Sequence, residues 1–143
     1  MRRLIPWPAL ALALLGCDPG YEVCTTHYPS GEVWSVRYYD EGLPHRPWIA
    51  WYSSDVPRLQ TYYDHGARVG TWRTVGADGT VLFEREYLDD EPHGTWRRFH
   101  ANGHPASVRH FERGRPVGSW TFHDEQGALL RREEHGAAGG SGG

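Results

Sequence analysis

Aromatic residues recur along this chain at a fixed interval of 24 residues. Tryptophan occupies one column of the repeat, at Trp48, Trp72, Trp96 and Trp120. A second column is aromatic through Tyr39, Tyr63, Tyr87 and Phe111 and ends at His135. Because these columns keep one spacing over the same stretch without an insertion, the pattern indicates a repeat protein.

Two glycine-rich columns keep the same interval and mark predicted turns. One runs through Gly31, Asp55, Gly79, Gly103 and Gly127, and the other through Gly42, Gly66, Asp90 and Gly114. Gly and Asp supply the positive φ angles that tight hairpins need. Each unit therefore predicts a short strand, a turn, a longer strand and a second turn. We expect an all-β fold, an elongated antiparallel meander that forms an open single sheet of about four to five two-stranded repeats, with the aromatic columns as ladders across it.

The amino terminus has a different pattern, an apolar run that follows two arginines. Residues 4–15 are apolar apart from two prolines, and the run is shorter than the ~20 residues of a membrane-spanning helix. Its position after Arg2 and Arg3 predicts a secretion signal. The run ends in Leu14-Leu15-Gly16-Cys17, which resembles the lipobox of bacterial lipoproteins. This resemblance implies cleavage between Gly16 and Cys17 and a diacylglycerol on the Cys17 thiol.

These features predict four segments. They are a signal peptide (1–16), a lipidated tether (17–24), a repeat domain (25–135) and a flexible Gly-rich tail (136–143). Two or more acyl chains hold a protein at a bilayer far more firmly than one chain does. We therefore expect a location in the bacterial cell envelope, with the lipid in the inner or the outer membrane. If Cys17 carries lipid, Cys24 has no disulfide partner in its own chain.

The repeat resembles the MORN-repeat variant family. The resemblance is carried by Gly70-Thr71-Trp72, Gly94-Thr95-Trp96 and Gly118-Ser119-Trp120 and by the segments 87–90 and 111–114, and it covers residues 25–135. It implies that the motif residues are structural. Some bacterial relatives are labelled antitoxins, and the wider MORN group is associated with membranes and protein partners. The terminal units depart from the pattern, with Cys24 in the tryptophan column and Arg46 in the Gly-x-Trp glycine column.

The charge balance argues against one class of partner. The formal net charge is −3, and it becomes −5 once Arg2 and Arg3 leave with the signal. A general nucleic-acid binder needs net or clustered positive charge, so we expect no nucleic-acid partner.

One column of the repeat carries arginine, at Arg37, Arg85 and Arg109. Such a stripe can hold lipid headgroups, a polyanionic glycan or an acidic partner. The alternative is cross-strand pairing with the nearby carboxylates of Glu84, Glu86 and Glu112. We expect the pairing, because Glu133 stands in the same column and an anion-binding stripe would not be expected to end in a carboxylate.

The sequence contains no recognisable reaction centre. Nine histidines are present, but none has the HxH, HExxH or Cys/His spacing of a metal site; the most plausible ligands are His100, His104, His110 and His123. The Asp89-Asp90-Glu91 run lies on a predicted turn, where its carboxylates would be solvated and mutually repelling. No Ser/His/Asp signature or phosphate-binding loop is found. We expect a non-enzymatic protein without cofactor or metal.

Two functions follow. The first is a membrane-tethered protein that mediates protein–protein interaction in the envelope, of which an immunity or antitoxin role is the sharpest version. The alternative is an envelope module that binds glycan or lipid headgroups.

Overall fold

The computed structural model describes residues 21–52 and 55–136. The predicted signal peptide, the Gly16/Cys17 cleavage site and residues 137–143 of the predicted tail lie outside these ranges. Among the described residues, no helix is long and apolar enough to cross a membrane.

The described chain forms thirteen β-strands and no helix. In order, they are β1 (Glu22–His27), β2 (Val33–Asp40), β3 (Leu43–Pro44), β4 (Arg46–Trp51), β5 (Pro57–Asp64), β6 (Ala67–Arg68), β7 (Gly70–Val75), β8 (Val81–Leu88), β9 (Glu91–Pro92), β10 (Gly94–Phe99), β11 (Pro105–Glu112), β12 (Arg115–His123) and β13 (Leu129–His135). The first strand begins at Glu22, three residues before the predicted start of the repeat domain.

All the strands belong to one antiparallel sheet. Its order is β1-β2-β4-β5-β7-β8-β10-β11-β12-β13, and the two-residue strands β3, β6 and β9 pair with β2, β5 and β8. Each long strand thus pairs with the next long strand along the chain, which confirms the predicted all-β meander. At about 4.8 Å between neighbouring strands, the ten strands of this path extend for about 43 Å.

Five of the six shifts in strand register keep the sequence period, and the sixth, at Val108/His110 between β11 and β12, does not. The strand register shifts at Thr26/His27, Ala50/Trp51, Thr74/Val75, Arg98/Phe99 and Phe122/His123, which are successive 24-residue steps. A β-bulge of this kind adds one residue to one strand and increases the local twist. The repeat is therefore present in the backbone as well as in the side chains.

The turns have the backbone geometry that the glycine columns predict. Two consecutive residues have positive φ at Glu41-Gly42, His65-Gly66, Asp89-Asp90 and Arg113-Gly114. Two-residue loops with this geometry are type I′ turns, the hairpin turns that match the right-handed twist of the strands. These four turns lie at the same end of the strands, along the side of the sheet that we call the I′-turn edge. The other glycine column also has positive φ at every position, including 61° at Asp55.

The sheet is a single layer, so it has no enclosed hydrophobic core. Only Val75 and Tyr87 are buried hydrophobic residues within the described ranges, and both retain slight exposure. The remaining buried side chains are the hydroxyls of Thr26, Ser35, Thr61 and Ser107. A sheet normally buries one face against a second layer. Here both faces remain partly exposed, and contacts within the sheet must supply most of its stability.

Candidate functional site: the ladder face

The two aromatic columns interleave into one continuous ladder. The rings follow the order Tyr39, Trp48, Tyr63, Trp72, Tyr87, Trp96, Phe111, Trp120 and His135, and neighbouring ring centroids are 4.2 to 5.3 Å apart. Tilted and edge-on pairs at this separation are favourable ring geometries. We call the side of the sheet that carries these rings the ladder face.

Every tryptophan of the ladder is also tied to the backbone. The indole Nε1–H of Trp96 donates to the carbonyl of Glu86 at 2.8 Å, and Trp48, Trp72 and Trp120 make the same bond to the residue ten positions earlier. The bond satisfies the polar atom of a partly buried indole and holds the ring in its tilt. Burial in the ladder also raises the pKa of the Tyr63 hydroxyl.

The arginine column lies on the ladder face and contacts aromatic rings. The guanidinium carbon of Arg37 is 5.5 Å from the centre of the Trp48 ring. Arg85 lies 4.8 Å from Phe83 and 5.4 Å from Trp96. Arg109 is 5.4 Å from both Trp120 and Phe122. These are cation–π distances.

The expected pairing of this column with Glu84, Glu86 and Glu112 is wrong. None of the three arginines forms an ion pair with a residue that the structure describes, and Glu84 contacts Arg73 at 2.7 Å and Arg97 at 3.7 Å. The reason is strand alternation. Successive residues of a strand point to opposite faces, so Glu84 and Glu86 project away from Arg85.

Three arginines lie on or beside the strand of Trp96 near the middle of the ladder face, and Arg85 contacts the Trp96 ring. Arg85 and Arg109 flank Trp96 on the two neighbouring strands, and Arg98 lies one step along β10, between Phe83 and Ser107. Together with Arg97, these residues line a shallow open pocket of about 90 Å³. No carboxylate lines this pocket, and the Nε of Arg109 is buried without a hydrogen-bond partner in the described structure. We call Arg85, Arg98 and Arg109 the arginine cluster.

Asp90 is exposed on a turn, as predicted, but it is paired with Arg68 and not only repelled by its acidic neighbours. Its Oδ1 accepts hydrogen bonds from the backbone N–H of Arg68 at 3.1 Å and from the Arg68 Nε–H at 3.0 Å. These bonds lower the pKa of Asp90 from its ordinary value of 3.8. Arg68 in turn lies 4.5 Å from the Tyr87 ring. The contact joins neighbouring units along the I′-turn edge.

The histidines named in the sequence analysis do not converge. The ring Nε2–H of His100 donates to the His123 carbonyl at 2.9 Å, so these two residues are neighbours as expected. His104 donates similarly to the Glu125 carbonyl at 2.9 Å. His110 instead contacts the Thr95 hydroxyl. Each of these ring nitrogens contacts a different carbonyl or hydroxyl group, so the four histidines do not form a shared ligand set.

A different cluster was missed. His45, Asp64 and His65 meet at the I′-turn edge, where one potential ligand atom from each lies within 4.8 Å of the others. Nearly 20 residues separate His45 from the other two, which no short metal-binding motif spans. The 24-residue period could have predicted this cluster, because it places the turn of one unit beside the turn of the next unit on the same edge of the sheet.

Cys24 is half-buried with a free thiol, at the first position of the tryptophan column and opposite Arg37. This small side chain occupies the end of the ladder, where only one neighbouring strand is present.

A comparison with known proteins returned no matching family model and no significantly similar curated protein.

Proposed function

We propose that this chain is a non-enzymatic binding protein of the MORN-repeat variant type, tethered to the bacterial envelope by lipid on Cys17. Its ladder face binds an acidic surface of another protein. The observation that carries this proposal is the set of unpaired arginines beside aromatic rings in the middle of the ladder face.

On the ladder face, Arg37 and the arginine cluster have no ion-pair partner among the described residues, although Arg131 at the end of this face pairs with Glu133 at 3.1 Å. On the opposite face, Arg73 and Arg97 share Glu84. The chain is acidic overall, so this basic surface is a local property. Unpaired guanidinium groups that are already held against rings lose little freedom when they bind carboxylates.

The dimensions of the face favour a protein partner. It extends about 43 Å across the strands, and a strand of six residues is about 20 Å long, which gives roughly 800 to 900 Å². A typical specific interface buries about 800 Å² on each partner. Tryptophan, tyrosine and arginine are the side chains that most often dominate the binding energy of such interfaces.

A second candidate is favoured by the arginine cluster alone. Three arginines on or beside the strand of Trp96, in a pocket without a carboxylate, match the chemistry of a phosphate or an acidic sugar. A ligand of this kind would be a lipid headgroup or an envelope glycan.

Crosslinking from two adjacent positions, one on each face of the sheet, tests which face binds the partner. A photo-crosslinking amino acid is placed in living cells at Arg98, on the ladder face, or at Arg97, on the opposite face. We expect a discrete protein adduct at position 98 and none at 97. Equal adducts at both positions, or none at either, would contradict the proposal. If the adduct is a secreted toxin encoded beside this gene, the immunity role is supported.

The second candidate is tested with the arginine cluster. The variant with Arg85, Arg98 and Arg109 replaced by Gln is compared with wild type and with Arg73→Gln, an arginine of the opposite face, as the control. If wild type and the control bind anionic vesicles or purified cell wall while the cluster variant does not, the envelope ligand is favoured. If wild type binds neither surface and the adduct at position 98 is present, the protein partner is favoured.

A further inference from the structure

The I′-turn edge holds a group of side chains that the proposed function does not use. His45 follows β3, whereas Asp64 ends β5 and His65 is the first residue of the next I′ turn. We propose that these three residues form a binding site for a divalent first-row transition metal ion, of which Zn²⁺ is the representative. The proposal is independent of what the ladder face binds.

The ligand atoms are close to the separations that such an ion requires. The Oδ1 of Asp64 is 3.3 Å from the Nδ1 of His45 and 2.7 Å from the Nδ1 of His65. Ligands bound tetrahedrally to Zn²⁺ at ~2.0 to 2.2 Å lie about 3.3 to 3.5 Å from one another. The first distance already fits. The second must open by about 0.6 Å to reach that range, and rotation of the exposed His65 and Asp64 side chains can supply this movement.

The backbone positions these side chains before an ion binds. The N–H of Gly66 donates to the carbonyl of Pro44 at 2.7 Å, which holds the turn of one unit against the preceding one. His65 is further restricted by its positive φ of 43° in the I′ turn. His45 is mostly buried, and its ring lies between Tyr21 and His65, with centroid distances of 5.9 and 4.6 Å. A ligand set carried by a restricted backbone loses less entropy on binding.

Asp40 supplies the support that metal-bound histidines usually have. Its Oδ2 lies 3.4 Å from the Nε2 of His65, on the side of the ring opposite the nitrogen that faces Asp64. Without an ion, the Nδ1–H of His65 donates to the Oδ1 of Asp64 at 2.7 Å. Binding of the ion must displace this proton, and a proton on Nε2 directed to Asp40 then leaves the Nδ1 lone pair for the ion. This is the carboxylate–histidine–metal arrangement, in which the carboxylate orients the ring and increases its basicity.

A later unit repeats the scaffold and part of the ligand set, because His93 and Glu112 stand 48 residues after His45 and Asp64. The N–H of His65 lies 3.4 Å from the Nδ1 of His45, and the N–H of Arg113 lies 3.4 Å from the Nδ1 of His93. At the second place, however, Arg113 stands where the first has His65. Turn geometry alone thus accounts for His45 and His93, but it does not account for His65 or for Asp40 beside it, which the later unit replaces with Arg113 and Leu88.

The donor set selects the class of ion. Two imidazoles and one carboxylate suit Zn²⁺, Cu²⁺ or Ni²⁺, whereas Mg²⁺ and Ca²⁺ prefer oxygen ligands alone. Three protein ligands leave a fourth position for water or for a side chain of a partner.

The test is calorimetric titration of the full chain, purified without a polyhistidine tag and stripped with EDTA, with ZnCl₂. We expect saturable binding of one ion per chain that excess Mg²⁺ does not displace. The variants His45→Ala and His65→Ala should each abolish saturable binding. Asp40→Asn should weaken it by about 10- to 100-fold. His93→Ala is the matched control and should bind as wild type does.

Thermal unfolding gives a second measurement. Zn²⁺ should raise the midpoint of wild type and of His93→Ala, because an ion that binds only the folded state stabilises it. It should not raise the midpoint of His65→Ala, whose exposed side chain can be removed without loss of the fold, as its midpoint in EDTA will check. The proposal is overturned if His45→Ala and His65→Ala retain wild-type Zn²⁺ affinity, or if Mg²⁺ competes equally.

Discussion

The ladder should be the main source of stability in this single-layer sheet, and Trp96→Ala tests this. Trp96 lies 5.3 Å from the Tyr87 ring and 4.8 Å from the Phe111 ring, and it donates to the Glu86 carbonyl at 2.8 Å. Each ring pair contributes about 0.5 to 1.5 kcal/mol beyond area burial. The hydrogen bond contributes about 0.5 to 1.5 kcal/mol, which is as much as one ring pair. We therefore expect Trp96→Ala to lower the free energy of unfolding by about 2 to 4 kcal/mol.

Two further variants separate the contributions. Trp96→Phe keeps a ring in the ladder but removes the indole N–H and part of the ring surface, so it should cost more than about 1 kcal/mol and less than Trp96→Ala. Trp34→Ala removes a tryptophan outside the ladder that contacts the Tyr28 ring at 6.5 Å, and it should cost less than Trp96→Ala. Urea denaturation followed by far-ultraviolet circular dichroism measures all three variants. If Trp96→Ala costs under about 1 kcal/mol, below the smallest expected sum, or no more than Trp34→Ala, the reasoning is refuted.

Three other predictions concern the terminus, the turn edge and the Gly-x-Trp motif. Cys17→Ala should release the protein from membranes without changing its unfolding midpoint. Mass spectrometry of the native protein should find an acylated mature chain that starts at Cys17, and an unacylated start would contradict this. Hydrogen bonds hold the pKa of Asp90 below its ordinary value, so its stabilising contribution is present above that value and is lost as the pH falls through the lower, folded-state pKa. Asp90→Asn should therefore flatten the acid side of the stability profile measured by urea titration, and an unchanged profile would be inconsistent with this role. Gly94→Ala should destabilise the sheet more than Gly118→Ala does. Both positions have positive φ, but only at Gly94 would an added Cβ collide with the Glu86 side chain. Equal losses of about 1 kcal/mol would indicate backbone strain alone.

The 24-residue period by itself determined most of the fold. It predicted the strand–turn alternation because only certain residues adopt positive φ without strain, and the two turn columns have positive φ throughout. Asp55 and Asp90 appear where glycine is otherwise used, in agreement with the tolerance of Asp for this conformation. Arg46 has a φ of 64° in the Gly-x-Trp glycine column, so the sheet imposes this conformation even on a residue that disfavours it.

The sequence also determined which residues lie on each face of the sheet. The pairing predicted for the arginines was wrong because it did not take the alternation of side chains into account. Glu84 and Arg85 are consecutive in one strand, and alternation alone separates them onto opposite faces. The cation–π contacts of Arg85 required more, because its neighbour Trp96 belongs to the next unit and its position depends on the register between β8 and β10.

Only the tertiary structure decided which side chains meet along the I′-turn edge. The local pattern around His45 resembles that around His93, and both follow a two-residue strand that the simple alternation of short and long strands did not predict. His45 approaches Asp64 and His65 because the backbone bond from Gly66 to Pro44 holds successive turns together. The absence of a second layer over the described sheet was likewise not determined by the period. A repeat specifies contacts between neighbouring units, whereas the covering of a face depends on whether other elements of the chain are free to pack on it.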